Sequence, residues 1–128
     1  MAPRIYLTIA EVLAIHKHQL EQYGGTDGVR DMGMLESAVF RPQTGYYDGV
    51  PEEAAALMES LANNHPFIDG NKRVAFASAH TFLLLNGFDL AVEPEPAFTF
   101  VMKSFDQQRF KYAEILEWIN KNIVRIGK

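Results

Sequence analysis

The stretch His65-Pro66-Phe67-Ile68-Asp69-Gly70-Asn71-Lys72-Arg73 places an imidazole, a carboxylate, a turn and two cations between two apolar runs. The run before it, residues 51–64, favours a helix. Because a residue followed by proline is driven out of the α conformation, this helix should stop near His65. Asp69-Gly70 is typical of a turn, and Asn71 is a favoured N-cap for a second helix. The stretch therefore predicts a helix, a short polar loop and another helix.

The start of the second helix is a predicted phosphate site. First-turn amides lack intrahelical acceptors and lie at the positive end of the helix dipole, so four residues can direct N–H groups at an anion: Gly70, Asn71, Lys72 and Arg73. Lys72 and Arg73 add full charges, whose hydrogen bonds contribute about 1.5–3 kcal/mol each. Asp69 is best explained as a ligand of Mg²⁺, which prefers one or two carboxylates plus the phosphates of its substrate. His65 is the candidate base for an incoming hydroxyl. The alternative interpretation is an ordinary polar connection between helices.

The whole stretch resembles the Fic motif of the Fido superfamily, His-Pro-Phe-x-[Asp/Glu]-Gly-Asn-[Gly/Lys]-Arg, and its lysine is similar to that of the death-on-curing (Doc) toxin branch. The similarity extends over roughly residues 5–90. It includes Tyr23-Gly24-Gly25, Gly28 to Asp31, Leu35 to Ala38 and Arg41-Pro42-Gln43. The resemblance implies one role for each motif residue: His65 as base, Phe67 as anchor of the loop in the core, Asp69 as Mg²⁺ ligand, Gly70 with Asn71 as phosphate cradle, and Arg73 as clamp on a further phosphate.

The resemblance implies an all-α Fido fold, a bundle of about six helices with a small β-hairpin or flap, in a single domain over residues 1–128. It implies an enzyme, a Doc-like toxin of a toxin-antitoxin system that transfers the γ-phosphate of ATP to a serine or threonine hydroxyl of a target protein. The target would be a translation factor such as elongation factor Tu, and a small antitoxin protein would neutralise the toxin.

Two other functions stay open. A Fic-type enzyme transfers AMP to a protein hydroxyl; Pro66 and Gly70 resemble that branch, whereas Lys72 resembles the kinase branch. The second open function is a module that binds a nucleotide or a partner without turnover.

Some Fic proteins also carry an inhibitory helix, [Ser/Thr]-x-x-x-Glu-[Gly/Asn]. The nearest match, Thr44 to Gly49, has Asp48 in place of glutamate and Gly45 inside it, so we expect inhibition to come from a partner.

Composition narrows the class of protein. The 128 residues are 48 % hydrophobic and 12 % aromatic, which excludes a disordered chain, and they include no cysteine, which excludes disulfides and Cys-based zinc sites. No apolar run approaches the roughly 18 residues of a transmembrane helix, and the N-terminus shows no signal-peptide pattern, so we expect a cytoplasmic protein without membrane contact. With a net charge of -4, direct nucleic-acid binding is not expected. The six basic and three acidic residues of the stretch 103–128 are typical of solvated helix ends or of an interaction surface.

Apolar spacing and caps predict the remaining elements. Six helices are expected, near residues 8–23, 31–41, 51–64, 71–86, 98–105 and 112–123, with a short extended piece at 88–92. The fourth helix is apolar on all sides and should be central. Residues 42–50 predict an irregular or hairpin-like segment. The resemblance implies a flap over the site there, and a plain surface loop is the alternative.

Three histidines outside the motif are not expected to act in chemistry. His16 and His18 lie about 200° apart around the first helix, so they cannot chelate one metal ion. We expect both at the surface or at the boundary of the core. His80 lies within the fourth helix and is expected in the core or at its boundary.

Overall fold

A computed structural model describes residues 3–126, without the side chains of residues 94, 95 and 105. It contains six α-helices: α1 (Ile9–Tyr23), α2 (Met32–Phe40), α3 (Val50–Asn63), α4 (Asn71–Leu85), α5 (Pro94–Asp106) and α6 (Tyr112–Asn122). A 3₁₀ turn, Arg41–Gln43, follows α2, and two strands, β1 (Phe88–Leu90) and β2 (Ile123–Arg125), are three residues long. The predicted all-α bundle with a small β element is confirmed. A single domain over 1–128 stays a prediction, whose ends at residues 1, 2, 127 and 128 lie outside the described residues.

Local capping sets the first two helices as predicted. The Glu11 amide donates to Thr8 Oγ1 at 3.1 Å while the Thr8 amide donates to Glu11 Oε1 at 2.8 Å, which completes a capping box for α1. Gly24 ends that helix with a positive φ of 82°. Asp31 caps α2 by accepting the Met34 amide at 3.1 Å. Short-range chemistry therefore accounts for all three boundaries.

The centre of the bundle is the pair α3 and α4, which pack against each other more extensively than any other two elements. Both helices bury residues on several sides, and α3 does so with small side chains that allow close approach: Ala54, Ala55, Ala56 and Ala62. The predicted central place of α4 is confirmed except at its C-terminal end, where Leu84 and Leu85 are exposed. The loop between α3 and α4 therefore joins the two most extensively packed helices of the bundle.

The small sheet is formed by two strands, one after α4 and one after α6. β1 and β2 are antiparallel, with Asp89 opposite Val124, so the extended piece predicted near residue 88 is confirmed. The expectation that the last helix reaches Ile123 is wrong, because the β-branched stretch Ile123–Arg125 pairs with β1 instead. His80 is half-buried, as expected, and its hydrogen bond to Asp89 at 2.7 Å, together with one from the Leu90 amide, lowers the pKa of Asp89.

The segment between α2 and α3 is irregular, which is one of the two conformations predicted for it. Residues 44–49 form bends and no helix, so the inhibitory helix is absent from this stretch as expected. Within residues 3–126, none of the helices is long and apolar enough to span a membrane.

Candidate functional site

An open cavity of about 290 Å³ gathers seven residues of the motif: His65, Ile68, Asp69, Gly70, Asn71, Lys72 and Arg73. Gly24 contributes from the loop after α1, and Phe98 and Met102 contribute from α5. The structure therefore brings together every site residue predicted from the sequence except Phe67, which is buried in the core with an exposed fraction of 1 %.

His65 is exposed and sits in a left-handed backbone conformation, with φ 51°. Such a conformation costs an L-residue about 1–2 kcal/mol and persists only where the surroundings hold it. Arg30 does so, since its Nε donates to the His65 carbonyl at 2.6 Å and its Nη2 donates to the Asn64 carbonyl at 3.0 Å. The predicted helix end near His65 is confirmed. The backbone that leaves this helix at His65 is left-handed rather than extended. Arg30 fixes the backbone of His65, the candidate base.

The loop before α2 holds the middle of the motif through its backbone. The amides of Arg30 and Asp31 donate to the Pro66 carbonyl at 2.7 and 3.0 Å. The Ile68 amide in turn donates to the Gly28 carbonyl at 3.0 Å. Gly28 has φ +128°, and a Cβ there would lie 2.7 Å from Ile68 Cδ1. Glycine at this position therefore allows the two loops to meet.

Phe67 is held at its ring and at its backbone. Its ring stacks on that of His16 with the centroids 3.8 Å apart and the planes at 10°. The Asn71 side chain accepts the Phe67 amide and donates to the Phe67 carbonyl, both at 3.0 Å. The prediction of Asn71 as N-cap is therefore wrong: Gly70 is the N-cap, and Asn71 begins α4 with its side chain turned back to the loop.

The Asp69 carboxylate joins the motif loop to the loop after α1. Its Oδ1 accepts the Gly70 amide at 2.9 Å and its Oδ2 accepts the Thr26 amide at 3.1 Å. The Gly70 amide, expected to face an anion, meets this carboxylate instead, and the amides offered to a phosphate begin at the first turn of α4. A carboxylate has about four acceptor positions, so Asp69 keeps capacity for one cation.

The residues fit Mg²⁺ better than a metal held by protein alone. In the part of the chain that the structure describes, no group of three His, Asp or Glu residues could bind a metal ion. One carboxylate completed by phosphate oxygens and water is the arrangement that Mg²⁺ takes at nucleotide sites. Asp69 is the carboxylate on the cavity wall that meets this requirement.

Arg73 is held between two aromatic rings. Its guanidinium carbon lies 3.8 Å from the centroid of the Tyr23 ring and 4.0 Å from that of Phe98. These rings come from the last residue of α1 and from α5. Arg73 also lines a second, larger cavity of about 500 Å³, bounded largely by α1 and α4. The cation therefore forms part of the wall between the two cavities.

Arg41 ties the segment 44–49 to α3. Its guanidinium donates to the Tyr47 hydroxyl at 2.7 Å and to Glu59 and Ser60 at 2.8 Å. Burial disfavours its charged form, but the hydrogen bonds to Glu59 and Tyr47 outweigh this effect and raise the pKa of Arg41. These bonds hold the segment 44–49, through Tyr47, against α3.

Sequence reasoning missed the supports of the loop. His16 was expected at the surface or boundary, yet only 2 % of it is exposed, so that expectation is wrong; His18 is exposed as expected. His16 lies four residues from both Val12 and Leu20, on the inward stripe of α1, and this spacing was a usable signal. No comparable local signal marks Arg30, because its acceptors are 34 and 35 residues away along the chain.

Comparison with known proteins identifies the family. A model described as the Fic/DOC family matches residues 6–83. The chain is 51 % identical over 76 residues to "Toxin Doc" of Mycolicibacterium smegmatis, which covers 56 % of this chain and 58 % of that protein. It is 33 % identical over 96 residues to "Protein kinase doc" of Escherichia phage P1, which covers 72 % of this chain and 76 % of that protein. The chain belongs to the Fic/DOC family.

Proposed function

We propose that this chain is a Doc-like toxin that transfers the γ-phosphate of ATP to a serine or threonine hydroxyl of a target protein. The observation that carries the proposal is the convergence of His65, Asp69 and the first turn of α4 on one cavity. The names of the two relatives, a toxin and a protein kinase, support it.

The phosphates of ATP would lie at the N-terminus of α4. The helix dipole and the first-turn amides favour an anion there, and Gly70 as N-cap has no side chain to occupy those amides. Lys72 and Arg73 bring two positive charges to the same wall. Asp69 would hold Mg²⁺, which supplies charge neutralisation for the phosphates when it is bound.

His65 would act as the general base. It removes the proton of the target hydroxyl as that oxygen attacks the γ-phosphorus; a new O–P bond forms, the bond from the γ-phosphorus to the β,γ-bridging oxygen breaks, and ADP leaves. Arg30 would keep the imidazole in place through the backbone of residues 64 and 65. The protein thus supplies position and charge, which are the main contributions in phosphoryl transfer.

Transfer of AMP is the second candidate. In that reaction the hydroxyl attacks the α-phosphorus and pyrophosphate leaves. Pro66 and Gly70 match the AMP-transferring pattern, and Gly70 is the left-handed N-cap of α4. Lys72 favours the kinase, because a long cation in the first turn crowds an α-phosphate lying on the backbone and offers charge to a terminal phosphate.

Parallel labelling of a bacterial lysate with α-labelled and γ-labelled ATP separates the two reactions. We expect protein-bound label from the γ position alone and none with His65→Ala. Label from the α position alone would make the enzyme an AMP transferase and leave the roles of His65 and Asp69 unchanged. Absence of label from both positions, with folded protein and Mg²⁺ present, would favour a binding module.

A small antitoxin protein and a target such as elongation factor Tu are the proposed partners, and the cytoplasm is the proposed compartment. The proposal that inhibition comes from another chain is supported by the irregular conformation of residues 44–49, the stretch nearest to the inhibitory-helix pattern. Expression of the wild-type chain alone in a bacterial host should therefore arrest growth, whereas His65→Ala should not. Normal growth with soluble, active wild-type protein would contradict the toxin assignment.

A further inference from the structure

We propose that His16 is a positioning residue for the phosphate site, a role that rests on the proposed function. It belongs to α1, outside the motif, and makes two contacts with the motif loop. Its ring stacks on Phe67, and its Nε2 lies 2.8 Å from the Asp69 carbonyl oxygen. Because a carbonyl oxygen only accepts, Nε2 carries the proton and donates it to this bond.

Packing alone does not explain a histidine here. A buried polar ring is costly unless its polar atoms have partners, and an apolar ring would stack on Phe67 equally well. What His16 adds is one N–H donor, aimed at the peptide unit between Asp69 and Gly70.

That peptide unit sets the direction of the groups that face the cavity. In a trans peptide the carbonyl and the amide point in opposite directions. With its carbonyl turned to His16, the unit points the Gly70 amide the other way, where it meets Asp69 Oδ1 at 2.9 Å. One hydrogen bond from α1 therefore orients the Asp69 carboxylate and the first residue before α4.

Gly70 makes this peptide unit easy to turn. Its φ of +79° is a conformation that glycine adopts freely, and a Cβ there would be 3.5 Å from His16 Nε2, an ordinary contact. Without the donor, rotation of the unit would point a carbonyl oxygen toward the bound phosphates and repel them. His16 holds the unit in the orientation that points its amide at Asp69 Oδ1 and its carbonyl away from the phosphate site.

Two variants separate the donor from the ring. His16→Phe keeps the stack on Phe67 and deletes the donor, whereas His16→Gln keeps an N–H near the position of Nε2 and deletes the ring. We expect His16→Phe to retain the melting temperature and to lose about tenfold or more in kcat/KM for transfer from ATP. His16→Gln should lose melting temperature but retain most of kcat/KM. His18→Phe, on the exposed side of the same helix, should change neither.

A second readout does not depend on turnover. In nitrogen-15 spectra of the wild-type protein without nucleotide, the His16 ring should be protonated at Nε2, and hydrogen exchange of the Gly70 amide should be slow. His16→Phe should accelerate that exchange and shift the Gly70 resonance, and His16→Gln should restore both. A proton at Nδ1 alone, or a folded His16→Phe with unchanged Gly70 exchange, would overturn the proposal. If wild-type protein transfers no label, the proposed function fails, and these spectra still decide the role of His16.

Discussion

Replacement of His65 by alanine should lower the rate of phosphoryl transfer by about 10²- to 10⁴-fold and leave nucleotide affinity almost unchanged. The reason is that the structure holds this residue by its backbone. Arg30 donates to the carbonyls of residues 64 and 65, and these bonds survive loss of the imidazole. The phosphate site at the start of α4 uses other groups.

Asp69→Asn should fail in the opposite way, by losing Mg²⁺-dependent binding of ATP. Both carboxylate oxygens accept backbone amides, so the asparagine NH₂ would face the amide of either Gly70 or Thr26 and distort the metal site. Asp27→Asn is the matched control, since Asp27 is a neighbouring exposed acid that also accepts a backbone amide and does not line the cavity.

Titration calorimetry with ATP, in Mg²⁺ and in EDTA, distinguishes the two variants. Wild type, His65→Ala and Asp27→Asn should bind more tightly with Mg²⁺ than in EDTA, whereas Asp69→Asn should bind equally weakly in both. Equal loss of binding in His65→Ala and Asp69→Asn would contradict the separate roles of base and metal ligand.

The helices were predictable because their ends are determined locally. Thr8 with Glu11, Gly24 and Asp31 each fix a boundary through contacts a few residues long. Strand β2 was missed because its partner, residues 88–90, lies more than thirty residues away, and Ile123 fits a helical spacing just as well. Non-local pairing decided a conformation that the local pattern left open.

The cavity was predictable for a similar reason, and its supports were not. Six chemical groups within nine residues line one wall because they belong to the short loop after α3 and to the first turn of α4. Their orientation depends on His16, Thr26 and Arg30, whose bonds to the motif span 53, 43 and 35 residues. Asn71 shows the limit of local rules, since its side chain binds the Phe67 backbone rather than its own helix.

Arg73 combines a positive charge with a fixed position, so its loss should strongly weaken nucleotide binding. Tyr23 and Phe98 lie 3.8 and 4.0 Å from its guanidinium carbon, distances that indicate stacking on the planar group. The N–H donors of a guanidinium lie in its plane, so rings on its faces leave its edges available to a phosphate. The rings thus reduce the entropy that the long side chain loses when it binds an anion.

Arg73→Ala should therefore weaken ATP binding by about 10- to 100-fold, which is the equivalent of one charge-assisted hydrogen bond. The affinity of Arg73→Lys for ATP should lie between those of wild type and Arg73→Ala, because lysine keeps the charge and loses the stacked, bidentate geometry. Tyr23→Leu should weaken binding only a few-fold, since the charge and the Phe98 contact remain. Arg125→Ala is the matched control: its guanidinium carbon lies 5.4 Å from the Phe88 ring and outside the cavity. Calorimetric affinities that are equal for wild type and a folded Arg73→Ala would show that this arginine does not clamp a phosphate.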